Sequence, residues 1–357
     1  MFNCKAALSA LTACALLGAA ACAGDSGGEA AAVKLDGAPG ATSYPLSFDN
    51  CGQKVSFTRP PGRVLILNGT SVAESESFVM LGLQRHVLAN AQSYGVSDDP
   101  SMVAAIKAMP NGGLTMNKNF EVPAEQVLAA KPDLVISTWS GGFDAKRGLA
   151  TREQLAAAGI TTLVNPVNCA YGKTGASRAE KRAYEGISID SSHEFLRLLG
   201  LVFDVQRRAA EVTADLRRRV QAVRTRVAGR PPRKVLIVYP GMSMMNASGL
   251  PAVMTGRITD EVISAAGGVN AFAGRSRDVT STLTKEQLAV ADVDVVAVGV
   301  FTPSEKPAEE AKRLFAEYPQ WRASKTGTYT TLADGAFLGP LNAWAVERLA
   351  KVVHPDG

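Results

Sequence analysis

The chain has 357 residues, with 38 Lys and Arg against 33 Asp and Glu and a formal net charge of +5. No Lys/Arg run is long enough for a nucleic-acid stripe, and Arg217-Arg218-Arg219 falls inside a helical pattern, which argues against a nucleic-acid partner. The length exceeds what one core usually supports and predicts two domains.

Residues 1–21 read as a secretion signal. Lys5 is the only charge before Asp25, and Ala6 to Ala21 is almost all Ala, Leu and small residues. The stretch suits a signal h-region and is marginal for a bilayer span, which needs roughly 20 apolar residues. Ala19-Ala20-Ala21-Cys22 is similar to a bacterial lipobox, in which Cys22 becomes the new N-terminus and carries lipid. Position 19 is Ala where Leu is more usual, and an ordinary signal cleaved after Ala21 is the alternative. Residues 22–43 are Gly/Ala-rich without an apolar period and read as a flexible tether. No later apolar segment is long enough to cross a membrane, so the expected location is extracytoplasmic, held to the membrane by the lipid alone.

There are five cysteines. Cys4 and Cys14 leave with the signal and Cys22 takes lipid, so Cys51 and Cys169 remain. In an oxidising compartment the simplest reading of that pair is a disulfide, with two separate buried thiols as the alternative.

Arg63-Val64-Leu65-Ile66-Leu67, after Pro60-Pro61-Gly62, reads as the first buried strand. A helix follows over Val72–Leu81 and stops at Gly82. Val122–Ala130 reads as a helix with Pro123 in its first turn, ended at Lys131-Pro132 and followed by a strand over Asp133–Ser137. A helix over Leu149–Ala158 and a strand over Ile160–Val164 complete an alternating α/β lobe. Residues 230–357 repeat the scheme. Lys234–Val238 matches the Arg63 strand, and Leu283–Val296 matches the unit at Val122, at offsets of roughly 160 to 170 residues. Between the lobes, Ala209, Val212, Leu216, Val220, Val223 and Val227 recur every three or four residues and form one apolar face. Asp204 is placed to cap this helix. From Val205 to Val227 it would span roughly 35 Å, a stiff bar that leaves the cleft mostly preformed. The predicted division is 44–189 for the N-terminal lobe, 190–229 for the inter-lobe segment and 230–357 for the C-terminal lobe. The fold class is α/β: two Rossmann-like lobes joined by one long rigid helix, with a ligand cleft between them.

Pro61–Leu67, Glu125–Ile136, Ala265-Ala266-Gly267-Gly268-Val269-Asn270 and Ala345–Pro355 resemble the substrate-binding lipoproteins of ABC importers for iron–siderophore complexes and cobalamin. Lys131-Pro132-Asp133-Leu134-Val135-Ile136 is the most specific piece. Asn50-Cys51-Gly52 resembles an actinobacterial branch, and the resemblance covers about Tyr44 to Pro355. It implies two α/β lobes on one rigid helix with ligand in the cleft, and, in this branch, a Cys51–Cys169 disulfide.

Ligands of open α/β sheets bind beyond the carboxyl ends of the strands. That rule selects Asn68, Thr70 and Ser71, then Tyr94, then Trp139 and Ser140 in the first lobe. In the second it selects Tyr239, Met242, Met244, Asn246 and Phe301, with Phe337 and Asn342 added by the resemblance. Trp139, after an apolar strand and before Gly-Gly, is poorly placed for a core and suits a flat contact to a large ligand, with packing under a loop as the alternative. Tyr239 has the same logic. Met242, Met244 and Met245 suit an irregular apolar surface, and equally serve as gap fillers. Arg275 and Arg277 suit acidic ligand groups, and equally read as solvated charges. Many relatives carry Arg or Tyr where this chain has Leu341-Asn342. The resemblance further implies permease docking through one acidic residue on each lobe, for which Asp144 and Glu261 are the candidates.

Catalytic readings are thin. Gly172-Lys173-Thr174 looks like the tail of a phosphate loop, but Val167 stands where the leading Gly is required. There is no Gly-x-Ser-x-Gly. His86, His193 and His354 are far apart, without metal-ligand spacing, and read as surface or capping residues. The expectation is a monomeric binding protein without cofactor of its own. It would capture a metal chelate, first a ferric siderophore, with cobalamin or haem as alternatives, and deliver it to an ABC permease and its ATPase. An enzyme or a surface scaffold on the same lobes is the reading from a different class.

Overall fold

The computed structural model describes residues 40–67, 72–92, 99–275, 279–300, 304–333 and 339–356. It opens with a hairpin that the apolar pattern did not reveal. β1 (Leu46–Asn50) and β2 (Gln53–Phe57) pair antiparallel, with Asn50 opposite Gln53. The two linking residues, Cys51 and Gly52, have φ of 57° and 79°. Positive φ at both positions matches the natural twist of a two-residue hairpin. Its inner side chains Phe48, Val55 and Phe57 are buried, which fastens the hairpin to the first lobe.

The first sheet is built from β3 (Val64–Ile66), β4 (Val87–Asn90), β5 (Leu134–Ser137) and β6 (Thr161–Val164), all parallel in the order β4-β3-β5-β6. These short apolar runs are buried on both faces, as parallel strands under helices must be. Helices α1 (Ala73–Leu81), α2 (Pro100–Lys107), α3 (Ala124–Ala130) and α4 (Arg152–Ala157) accompany them. Helix α1 ends where expected: Gly82, at φ 71°, turns its N–H onto the carbonyls of Phe78 and Val79. Helix α4 starts later than the pattern predicted because Thr151 forms a capping box with Gln154.

Two helices, α5 (Arg178–Glu185) and α6 (Glu194–Val202), lead to α7 (Gln206–Val227). All six apolar positions named above are buried in α7, together with Thr213. Asp204 does not cap it. The tight link from α6, with the Val205 N–H on the Gly200 carbonyl at 2.8 Å, forces Asp204 to φ 56°. Its carboxylate then accepts from the Thr42 N–H at 2.6 Å, and Val205 stands at the cap without a side-chain bond.

The second sheet centres on β7 (Arg233–Tyr239). Strands β8 (Ala252–Val253) and β9 (Gly268–Asn270) share one of its edges, β8 antiparallel and β9 parallel. Helices α8 (Arg257–Ala265), α9 (Val279–Thr282) and α10 (Lys285–Ala289) precede β10 (Val295–Val300), and α11 (Pro307–Glu317) and α12 (Arg322–Thr326) precede β11 (Tyr329–Ala333). Strands β10 and β11 extend the sheet in parallel beyond β7, and α13 (Asn342–Val353) closes the chain. The sequence repeat has a topological counterpart. β3 pairs in parallel with β5, and β7 pairs in parallel with β10.

One buried apolar cluster runs through both halves. It contains Ile66 and Phe78, Leu196 and Leu199 of α6, Leu216 and Val220 of α7, Ile237 of β7, and Val346 and Leu349 of α13. Polar ties reinforce it. Glu261 of α8 accepts from the Ile189 N–H at 2.9 Å and from Arg224 at 2.8 Å, and Ser192 donates to Asn342 at 2.5 Å. A close-packed interior resists relative sliding, and the spine helix α7 packs along α6 and α13 within it.

Candidate functional site

The carboxyl ends of the first sheet converge on a carboxylate. Glu74 of α1 is fully buried. It accepts from Gln92 at 2.8 Å, Thr138 at 2.5 Å and Asn165 at 2.9 Å. Gln92 follows β4, Thr138 follows β5 and Asn165 follows β6, so one side chain joins three strand ends to α1. Burying a charge is costly unless its oxygens are satisfied, and here both are. The pattern Ala73-Glu74-Ser75-Glu76-Ser77 carries no apolar period, so this interior role left no trace in hydrophobicity.

The next residue after Thr138 is Trp139. Its indole is half-buried and lies in an aromatic row: the Tyr171 ring is 4.7 Å away, and Tyr171 stacks on Tyr184 at 5.5 Å and 10°. The Arg147 guanidinium sits 4.8 Å above the indole and pairs with buried Glu121. Gly141 and Gly172 approach the ring so closely that a Cβ on either would fall 2.4 or 2.5 Å from it. Trp139 is therefore not the bare platform the sequence suggested. It is a partly covered ring in a row with Tyr171 and Tyr184, two residues that sequence reasoning passed over because nothing spaces them periodically. Ser140 donates to the Cys169 carbonyl at 2.7 Å, so its hydroxyl shapes the turn. Asp144 is half-buried and its carboxylate accepts from the Lys146 N–H at 2.9 Å.

Cys51 and Cys169 form a disulfide with Cα atoms 5.0 Å apart, closing a separation of 118 residues. Lys173 donates to the Cys51 carbonyl at 2.9 Å and pairs with Glu180 at 2.5 Å, a structural use of the would-be phosphate-loop lysine.

In the second half several expectations are corrected. Tyr239 is 1% exposed, packs its ring over Gly299 and donates to the Ala333 carbonyl at 3.1 Å. It is the last residue of β7, and the alternation of the strand turns it inward. Asn246 is buried and organises its own loop, donating to the carbonyls of Thr280 and Leu283 and accepting from the Ser248 N–H. Asn342 is fully buried at the start of α13, where it meets Ser192. All three are buried and hydrogen-bonded within the fold. Met242 packs against the core, whereas Met244 is 76% exposed, Met245 is exposed beside it, and Arg275 is exposed. Glu261 carries the ties to Ile189 and Arg224, so it is not a free surface carboxylate. His193, expected at a surface or cap, stands at the N-cap of α6 but makes no side-chain cap bond: it is fully buried, and neither ring nitrogen has a hydrogen-bond partner. Asn68, Thr70, Ser71, Tyr94, Arg277, Phe301, Phe337 and Cys22 lie outside the described residues.

The second half approaches α1 closely. A Cβ on Gly339 would lie 2.9 Å from the Ala73 side chain and 3.0 Å from a Glu76 oxygen, so only glycine fits this approach of the second half to α1. Among the described residues no group of three or more His, Cys, Asp or Glu side chains is arranged to hold a metal ion, and no helix is long and apolar enough to cross a membrane.

A family model for periplasmic binding proteins matches residues 70–327. The chain belongs to that family, whose members are solute-binding proteins and not enzymes, and membership implies an extracytoplasmic location. It shares its α/β fold, with mainly parallel sheets, with solved structures. It is similar to a structure from Saccharomonospora viridis DSM 43017 described as an ABC-type Fe3+-hydroxamate transport system, with 24% identity over 87% of this chain and 100% of that one and a TM-score of 0.64. A periplasmic binding protein from Veillonella parvula is similar at 18% identity, 87% and 97% coverage and a TM-score of 0.67. A periplasmic haem-binding protein from Pseudomonas aeruginosa follows at 22% identity, 83% and 94% coverage and a TM-score of 0.59. No curated protein matches the chain.

Proposed function

We propose that this protein captures a ferric siderophore between its two α/β lobes and passes it to an ABC permease driven by its ATPase. The observation that carries the reading is the row of Trp139, Tyr171 and Tyr184 at the carboxyl end of the first sheet. Strand ends are where ligands of such sheets bind, and half-exposed aromatic rings give a large chelate contact area at low conformational cost. Exposed Met244 and Met245 supply an adaptable apolar surface at the end of β7. A hydroxamate is the preferred chelate because the Saccharomonospora protein is named for one. Haem is the second reading, favoured by the Pseudomonas protein.

In this reading the chain is a monomer divided at 44–189, 190–229 and 230–357, tethered through lipid on Cys22. Asp144 faces the permease from the first lobe, while Glu261, engaged by Ile189 and Arg224, is left out of this role. Glu261→Arg would break its pair with Arg224, so Asp144→Arg is the docking variant: uptake falls while ligand affinity stays. Unchanged uptake removes Asp144 from that role.

The deciding experiment titrates the protein lacking residues 1–22 with ferric desferrioxamine B, ferric enterobactin, cobalamin and haem, followed by tryptophan fluorescence. Saturable quenching by ferric desferrioxamine B that disappears in Trp139→Ala supports the proposal. Saturable binding of haem alone favours the second reading, and no response to any of the four defeats the chelate assignment.

A further inference from the structure

We propose that the Cys51–Cys169 disulfide, assisted by Lys173, is a positioning device for Trp139, so that ligand capture depends on the oxidised state of this bond. The proposal rests on the reading above that Trp139 meets the ligand.

The turn that carries Trp139 is not held by its own strand alone. It leans on the segment around Cys169 through three bonds. Asn168 donates to the Thr138 carbonyl at 2.9 Å, Ser140 donates to the Cys169 carbonyl at 2.7 Å, and the Gly141 N–H donates to the Tyr171 carbonyl at 3.2 Å. Tyr171 adds its ring at 4.7 Å. The supporting segment has little regular structure between its short 3₁₀ turn and α5, so no ladder fixes it. Turn bonds from the Asn168 N–H to Asn165 and from the Tyr171 N–H to Asn168, with Val167 in the core, hold it locally, and a further anchor ties it to the sheet.

The hairpin provides that anchor. The Asn50 side chain exchanges two bonds with the Val164 backbone, at 2.9 and 2.8 Å, in effect extending β6 by a side chain. Arg152, mostly buried, donates to the Asn50 carbonyl at 2.8 Å and to Thr162 at 2.8 Å. The residue after Asn50 is Cys51. A covalent link therefore leaves a turn fixed to the sheet and lands on the residue whose carbonyl holds Ser140, immediately beside Trp139. Lys173 repeats the connection with a hydrogen bond to the Cys51 carbonyl.

Reduction by dithiothreitol moves two electrons and two protons onto the disulfide. It yields two cysteine thiols and the cyclic disulfide of the reagent, and leaves the other contacts in place. The test uses the full mature chain in its oxidised form, after reduction, and as the Cys51→Ser/Cys169→Ser variant. Subtracting the near-ultraviolet circular dichroism of Trp139→Phe from wild type isolates the indole signal. The proposal expects that difference signal to collapse, and acrylamide access to Trp139 to rise, at temperatures where the far-ultraviolet spectrum is unchanged. Reoxidation restores both. A purely stabilising bond would lower the melting temperature and leave the difference signal intact, and that result overturns the proposal. If the double variant does not fold, reduction of the folded protein and Lys173→Met give the same readout.

The binding arm uses ferric desferrioxamine B. Affinity about tenfold weaker on reduction, with Trp139→Ala also impaired, supports the proposal; wild-type affinity after reduction overturns it. If Trp139→Ala binds as tightly as wild type, the ligand role of Trp139 fails, and the spectroscopic arm still decides whether the disulfide holds the indole.

Discussion

The guanidinium of Arg219 lies 3.7 Å over the ring of Trp344, and the same group forks both oxygens of Glu347 at 2.8 and 2.7 Å. One residue of the spine thus grips two successive turns of the C-terminal helix. Lysine keeps the charge but loses both the planar stack and the fork. Arg219→Lys is expected to lower unfolding free energy by about 1–2 kcal/mol, discounted because the pair is partly exposed. Urea denaturation measures this, and a loss below roughly 0.3 kcal/mol would assign the spine contact to apolar packing alone.

His193 gives the protein an acid sensitivity. Burial above all drives its pKa down to about 4; Arg197 and Arg217 add to the effect, and Asp190 opposes it. The unfolded chain takes up the proton near pH 6.5, before the folded chain does. Stability is thus full above pH 6.5 and falls as pH drops toward 4, by roughly 3 kcal/mol in total. Denaturation series at pH 7 and pH 4.5 for wild type and His193→Leu check this: the variant should lose less stability across the interval. Parallel curves would show that His193 does not titrate on unfolding.

Gly172 combines φ of 68° with a Cβ position 2.5 Å from the Trp139 ring. Gly172→Ala should therefore cost more than the usual penalty of about 1 kcal/mol for alanine at positive φ, and should shift tryptophan emission. Gly175→Ala is the control, since it shares the positive φ of 75° but has open space around it. Equal effects of the two would mean that the indole moves aside freely.

Tyr239→Phe removes the bond to Ala333 and keeps the ring over Gly299. The expected result is a stability loss of about 1 kcal/mol with unchanged chelate affinity by fluorescence titration. A large loss of affinity would restore Tyr239 to the ligand surface.

The spine was legible because a 3.6-residue period persists over six apolar positions from Ala209 to Val227. The parallel strands were legible because runs such as Leu134–Ser137 are bounded by Pro132 and Trp139. The hairpin escaped notice because its apolar residues alternate through only five positions on each side of Cys51-Gly52, and Phe48 and Phe57 count only once they face the same core. Site residues were harder. Tyr239, Asn246 and Asn342 stand at loop-facing positions in sequence, yet each turns inward to satisfy a backbone or side-chain partner across 34 to 150 residues. Glu74 is the converse case: a charge in a polar run that becomes the keystone of three strand ends. Local pattern reports which face of an element is apolar. It does not report which distant carbonyl needs a donor.

The apolar cluster threading both halves through α6, α7 and α13 has a consequence for transport. If the proposed capture of a chelate holds, a molecule packed in this way would present nearly the same silhouette empty or loaded. A permease that reads its outer surfaces would meet cargo-free copies as rivals to cargo-bearing ones. Import would then follow the proportion of receptors that are occupied, and surplus empty protein would slow delivery.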